Sequence, residues 1–143
     1  MALLSPGDQQ TLRDMFADMK QPVTLLFFTQ TFECETCDEA KRILAEITEV
    51  SDQILVEELN LVLEKERAAA YGIDRVPALV LLASGEDTRI RFLGAPSGYD
   101  FMAVVDAILA AGGASHMALS DESVALVSAV TEPTNIHVFV TPT

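Results

Sequence analysis

The chain has 143 residues, half of them apolar, so one compact domain with a sizeable buried core is expected. Its 22 acidic and 9 basic side chains give a net charge of -13, which argues against nucleic-acid binding because phosphates would be repelled. No apolar run reaches the roughly 20 residues that a membrane-spanning helix needs, and the N-terminus lacks the basic and apolar stretches of a secretory signal, so we expect a cytoplasmic protein with no membrane partner.

Helical and extended patterns alternate along the first three quarters of the chain. Ser5 and Pro6 are typical of a helix start, and apolar residues follow at helical spacing as far as Met19. Continuous apolar runs predict strands 23–29, 54–60 and 78–83, and amphipathic spacing predicts helices 40–50, 64–71 and 99–111. A turn at 84–87 leads into a further strand, in which Ile90 and Phe92 alternate with arginines.

This order of elements predicts the α/β class. Alternation of strands and helices implies parallel pairing with right-handed crossovers. The hairpin formed by the last two strands adds an antiparallel edge. We therefore expect a mixed four-stranded sheet with helices on both faces.

The end of the chain repeats the order of its beginning. Residues 112–120 are typical of a linker, 121–131 of a helix, and 136–140 (IHVFV) of a strand. This repetition predicts one domain over residues 1–112, followed over 113–143 by a linker and the incomplete start of a second unit.

The two cysteines of the chain, Cys34 and Cys37, follow the first predicted strand and enter a helix. Unpaired N–H groups at a helix start favour an anion, which lowers the pKa of the Cys34 thiol and makes it the nucleophile. Cys37, one turn later, can attack a mixed disulfide and release the product. The pair therefore predicts thiol–disulfide exchange.

Two other interpretations of the pair remain open. A zinc or iron–sulfur site normally needs four ligands, and the chain offers besides the cysteines only the distant His116 and His137, so such a site would be shared between two chains. Two inert, buried thiols are the other alternative. The flanking acids Glu33, Glu35 and Asp38 argue against it, because charged residues are rarely buried.

Acidic residues surround the predicted nucleophile, namely Glu33, Glu35, Asp38 and Glu39. These carboxylates raise the pKa of the Cys34 thiol, whereas the helix start lowers it. The nearest cations in the sequence are Lys41 and Arg42. We expect a modest lowering of the pKa of Cys34 and a comparatively reducing cysteine pair.

The segment 71–78 (YGIDRVPA) lies about 40 residues after the cysteine pair and directly before an apolar strand. This arrangement resembles the thioredoxin superfamily and implies a thioredoxin-like fold. The resemblance also implies that Pro77 is a cis-proline beside the cysteine pair, and that the backbone of Val76 binds an extended substrate segment.

Segments further along resemble a narrower group. Residues 92–101 (FLGAPSGYDF) and 138–143 (VFVTPT) are similar to protein disulfide oxidoreductases of the glutaredoxin-like type, which carry two thioredoxin-fold units in tandem. The resemblance implies that this chain holds the first unit and the opening helix and strand of the second. The N-terminal domain of the flavin-dependent component of alkyl hydroperoxide reductase has the same tandem design, but its first unit lacks the cysteine pair.

The sequence departs from the thioredoxin pattern in two places that affect the reactivity of the cysteine pair. Glu33 replaces an aromatic residue, and Glu35-Thr36 replaces Gly-Pro between the cysteines. Phe28 stands where thioredoxins carry a buried acid that accepts the proton of the resolving thiol. Glu57 or Glu58, on the neighbouring strand, is a candidate replacement, and the alternative is that both face solvent at a strand end.

The resemblance implies a thiol–disulfide oxidoreductase that acts on protein disulfides and needs no cofactor or metal beyond its own dithiol. Its partners would be disulfide-bearing proteins and an upstream donor of the thioredoxin-reductase type. The alternative is a protein-binding module of the same fold with weak turnover. The apolar C-terminal fragment either packs on the first unit or adds an edge strand to another chain, and we expect partial self-association as a homodimer.

Overall fold

The computed structural model describes residues 2–114 and 119–141. Its elements, in chain order, are α1 (Pro6–Phe16), β1 (Val23–Thr29), α2 (Cys37–Glu49), β2 (Ile54–Asn60), α3 (Lys65–Ala70), β3 (Ala78–Ala83), β4 (Glu86–Leu93), α4 (Tyr99–Ala111) and α5 (Asp121–Ser128). Strands β1 to β3 and helix α4 have the predicted bounds. Helix α2 begins at Cys37, three residues earlier than its apolar pattern indicates.

The strands form one sheet in the order β2-β1-β3-β4. The predicted parallel pairing holds for β1 with β2, whereas β3 runs antiparallel to β1 and β4 antiparallel to β3. Ala78, the first residue of β3, pairs with Phe28 near the end of β1, so β3 begins beside the end of β1 and runs back along it.

Two apolar clusters cover the two faces of the sheet. Alternate residues of a strand point to opposite faces. Leu25 and Phe27 of β1 therefore join the larger cluster with α1, α2 and α4, while Leu26 and Phe28 join the smaller cluster with α3. The prediction of helices on both faces is thus confirmed.

The hairpin between β3 and β4 turns in two residues rather than the four predicted. Ser84 and Gly85 both have positive φ angles, 48° and 85°. A two-residue turn with this backbone matches the twist of the flanking strands. Strand β4 can therefore begin at Glu86, inside the segment predicted as a turn.

The C-terminal segment of the structure consists of α5 and an irregular stretch, and none of the residues of α5 is buried. The strand predicted over 136–140 does not form, and Phe139 is 90% exposed. An isolated strand has no neighbour to receive its backbone hydrogen bonds, so apolar alternation alone does not hold it. His116, in the predicted linker, lies outside the described residues. None of the helices that the structure describes is long and apolar enough to cross a membrane.

Candidate functional site

The cysteine pair lies where β1 gives way to α2. Cys34 sits in the loop after the strand, and Cys37 is the first residue of the helix. The two are joined by a disulfide, with Cα atoms 5.5 Å apart, which is within the usual range for such a bond. Cys37 is buried, at 4% exposed, whereas Cys34 is half-buried. Cys34 is therefore the more exposed residue of the pair.

The loop leading to Cys34 has an unusual backbone. Glu33 has a φ angle of 57°, in the left-handed region that non-glycine residues seldom occupy. Its carbonyl oxygen accepts a long hydrogen bond, 3.5 Å, from Nε2 of Gln30. This conformation turns the chain between the strand end and Cys34.

The start of α2 is open to an anion. Thr36 occupies the N-cap position, but its side chain makes no capping hydrogen bond. The first-turn N–H groups are therefore not taken up by a capping side chain, and they lie next to the disulfide. A thiolate at this position would gain from these N–H groups and from the helix dipole.

The predicted proline lies at the same end of the sheet. Ala78, the first residue of β3, pairs with Phe28 near the end of β1, so Pro77 lies beside the strand end that leads to the cysteine loop. The Val76–Pro77 peptide bond is cis. The backbone N–H of Gly94 donates to the Pro77 carbonyl at 2.8 Å, which brings the loop after β4 to this end as well.

The proline is buried, whereas Val76 is half-buried. Among the hydrogen bonds of the described residues, none uses the backbone N–H or C=O of Val76. The next residue toward the N-terminus, Arg75, forms an ion pair with Asp74, and this pairing lowers the pKa of the Asp74 carboxyl. Val76 thus has a backbone that is unpaired among the described residues, two residues before β3 and beside the end of β1 that leads to the cysteine loop.

The structure does not support Glu57 or Glu58 as the proton acceptor for Cys37. Both are exposed, since β2 is an edge strand. Glu57 is held by Arg67, whose hydrogen bond lowers the pKa of that carboxyl, and Oε2 of Glu58 lies 2.8 Å from Nζ of Lys41. The solvent-facing alternative therefore describes both residues. In the part of the chain that the structure covers, no polar or charged residue is buried.

Sequence reasoning overlooked Phe32. This side chain is 80% exposed, two residues before Cys34. The signal was present in the sequence as a single aromatic residue in an otherwise polar loop. Within residues 2–114 and 119–141, no group of three or more His, Cys, Asp or Glu side chains is arranged to hold a metal ion.

Comparison with known proteins relates this arrangement to a family. No family model matches the chain. A thioredoxin from Methanocaldococcus jannaschii is 36% identical over 65 residues, which are 45% of this chain and 71% of that protein. The chain belongs to the thioredoxin family. A probable thioredoxin from Methanothermobacter thermautotrophicus is also 36% identical, over 63 residues that are 44% of this chain and 61% of the relative.

Solved structures place this thioredoxin-family chain among longer proteins. The alkyl hydroperoxide reductase protein AhpF from Enterococcus faecalis matches with a TM-score of 0.75 and 29% identity, over 83% of this chain and 57% of that chain. A protein disulfide oxidoreductase from Aeropyrum pernix matches with a TM-score of 0.69 and 22% identity, over 82% and 51%. The chain thus spans little more than half the length of these two structures. The thioredoxin-like fold is confirmed.

Proposed function

We propose that this chain is a thiol–disulfide oxidoreductase that acts on protein disulfides. The observation that carries the proposal is the Cys34–Cys37 disulfide at the start of α2, with Cys34 half-buried and Cys37 buried. Family membership supports it, since the curated relatives are thioredoxins. The redox centre is the dithiol itself, and no other cofactor enters the reaction.

The exchange runs in two steps. The Cys34 thiolate attacks one sulfur of the partner's disulfide, which forms a mixed disulfide and releases the other partner sulfur as a thiolate. The Cys37 thiolate then attacks Sγ of Cys34, and the partner leaves with both sulfurs reduced. Two electrons pass from the dithiol to the partner, and the partner's thiolates take up two protons from the two thiols by way of water. An external dithiol donor, of the thioredoxin-reductase type in a reducing cytoplasm, would restore the dithiol by the reverse steps.

The backbone at Val76 fits a role in binding the partner. Its N–H and C=O are unpaired among the described residues and lie at the strand end that adjoins the cysteine loop. An extended segment of the partner could pair with this backbone as an added strand, with Pro77 beside the reacting sulfurs. Glu35 and Thr36, which are exposed between the cysteines, would border that segment.

Reduction of insulin by dithiothreitol tests the proposed activity. We expect the wild-type protein to accelerate insulin precipitation in proportion to its concentration, and Cys34→Ser to give the rate of dithiothreitol alone. Circular dichroism of both proteins checks that the variant is folded. Equal rates for the two proteins would overturn the proposal.

A protein-binding module with weak turnover is the second candidate. The observation that favours it is Phe28, fully buried where thioredoxins carry an acid, which leaves Cys37 without a buried proton acceptor among the described residues. The same insulin assay separates the candidates. A module would bind reduced or oxidised partner proteins without accelerating precipitation.

We expect Glu58→Gln to leave the rate of insulin reduction unchanged, because Glu58 is exposed and paired with Lys41. Loss of this exposed ion pair should change the free energy of unfolding by less than about 1 kcal/mol. The measurements are the insulin assay and chemical denaturation. A rate loss of roughly 100-fold, the size of a general acid–base contribution, would reinstate Glu58 as a proton acceptor.

We also propose that residues 113–143 begin a second unit of the same fold. A second proposal is that this C-terminal fragment joins two copies of the chain into a homodimer. The apolar side chains of 136–140 are exposed in this chain and would be covered by adding that segment to a sheet edge of the other copy. Sedimentation of the full chain and of a chain ending at Gly113 tests this. A monomeric full chain would contradict it.

A further inference from the structure

Four acidic residues lie next to the cysteine pair in the sequence, and we call Glu33, Glu35, Asp38 and Glu39 the acidic rim. All four residues are exposed. Within the described part of the chain, none of their side chains has a hydrogen-bond or ion-pair partner. The four carboxylates of the rim are therefore in no direct ion pair among the described residues.

The neighbouring cations compensate for the rim only in part. Arg42, three residues after Glu39, forms none of the ion pairs of the described residues, whereas two other cations are paired with acids outside the rim. Nζ of Lys41 lies 2.8 Å from Oε2 of Glu58, on the edge strand. Nε of Arg75, one residue before Val76, lies 2.8 Å from Oδ1 of Asp74. Segment 33–42 holds the four acids of the rim and two cations, Lys41 and Arg42, so its net charge is negative.

The reaction requires a partner to approach this segment. A sulfur of the partner must come within bonding distance of Sγ of Cys34. Consecutive Cα atoms are about 3.8 Å apart, so charges on residues flanking the partner's disulfide come within about 10 Å of Glu33 and Glu35. This separation is close to the Debye length of about 8 Å at physiological ionic strength, so the rim charges are only partly screened.

We propose that the acidic rim selects partners whose disulfide is flanked by Lys or Arg and disfavours partners with acidic flanks. This inference rests on the proposed oxidoreductase function and names the class of substrate for the same site. Phe32, 80% exposed beside the rim, adds a surface on which the aliphatic stem or the charged head of such a residue can lie. Charge of this kind acts mainly on the rate of encounter.

Three small disulfides of different charge test the inference. They are cystamine, a dication; hydroxyethyl disulfide, which is neutral; and dithiodipropionate, a dianion. The second-order rate constant of each with the reduced protein is measured by stopped flow at low salt and at 1 M salt. We expect the dication to react fastest and the dianion slowest. At low salt the ratio of their two rate constants should be roughly 10 to 100. At 1 M salt this ratio should fall toward the ratio that the same two disulfides give with a small free thiol.

Matched variants assign the effect to the rim. The rim variant carries Glu33→Gln, Glu35→Gln, Asp38→Asn and Glu39→Gln. The control variant carries Asp18→Asn, Glu49→Gln, Asp52→Asn and Asp106→Asn, which remove the same charge from exposed positions that are not adjacent in sequence to the cysteine pair. We expect the charge preference to disappear in the rim variant and to persist in the control variant.

The outcomes separate this inference from the function on which it rests. Rates that do not depend on disulfide charge, in a protein that reduces the neutral disulfide, overturn the rim inference alone. Equal loss of preference in both variants also overturns it, because net charge would then be the cause. Failure to react with any of the three disulfides overturns the oxidoreductase function and the rim inference together.

Discussion

Replacing Cys37 by serine should leave a protein that reacts with a disulfide once and then stops. Cys34 remains accessible in this variant and can form the mixed disulfide, but the buried sulfur that would break it is gone. We expect turnover of insulin to fall to the rate of the uncatalysed reaction. A covalent complex between the variant and its partner should accumulate in the absence of dithiothreitol.

Intact-protein mass spectrometry measures this complex. Cys34→Ser is the matched control, because it makes the same chemical change at the other sulfur and should form neither the complex nor product. Insulin turnover by Cys37→Ser at the wild-type rate would contradict the assignment of the resolving role. A complex formed by Cys34→Ser instead would show that the two cysteines have the opposite roles.

Replacing Phe27 by alanine should lower the free energy of unfolding by about 3–5 kcal/mol. Phe27 is 1% exposed and lies in the cluster that joins the central strand β1 to α2 and α4. The variant loses the burial of an aromatic ring and leaves a cavity that a four-stranded sheet cannot readily close. Since α2 carries Cys37, the loss of packing also weakens the support of the site.

Urea denaturation followed by circular dichroism measures the effect as a lower midpoint at unchanged slope. Phe32→Ala is the matched control, because it removes the same side chain from a position that is 80% exposed. Its free energy of unfolding should stay within about 0.5 kcal/mol of the wild type. A similar loss in both variants would contradict the assignment of Phe27 to the core.

The elements that could be predicted from sequence are those whose own residues determine them. Strands β1 and β3 are continuous apolar runs buried on both faces, so their bounds follow from composition. The cysteine pair could be placed at a helix start because its spacing and its neighbours are local. The proline segment was found only through its resemblance to a family.

What could not be predicted depends on parts of the chain that are distant in sequence. The antiparallel direction of β3 depends on where the chain re-enters the sheet, which is set by pairing with β1 and not by the pattern of β3 itself. The exposure of Glu57 and Glu58 depends on β2 being an edge strand. The segment 136–140 has a strand pattern, but a strand also needs a neighbouring strand, and none of the described residues forms one beside it. The left-handed backbone of Glu33 has no sequence signal, since the residue is not glycine.

The short span of the disulfide determines how much the stability of the fold depends on that bond. The bond joins residues separated by three positions, so it removes little freedom from the unfolded chain, worth about 2 kcal/mol by loop-closure entropy. A cross-link over 100 residues would be worth about 4.7 kcal/mol. Reduction of the bond should therefore lower the free energy of unfolding by only about 2 kcal/mol, so we expect the fold to persist in both the disulfide and the dithiol form.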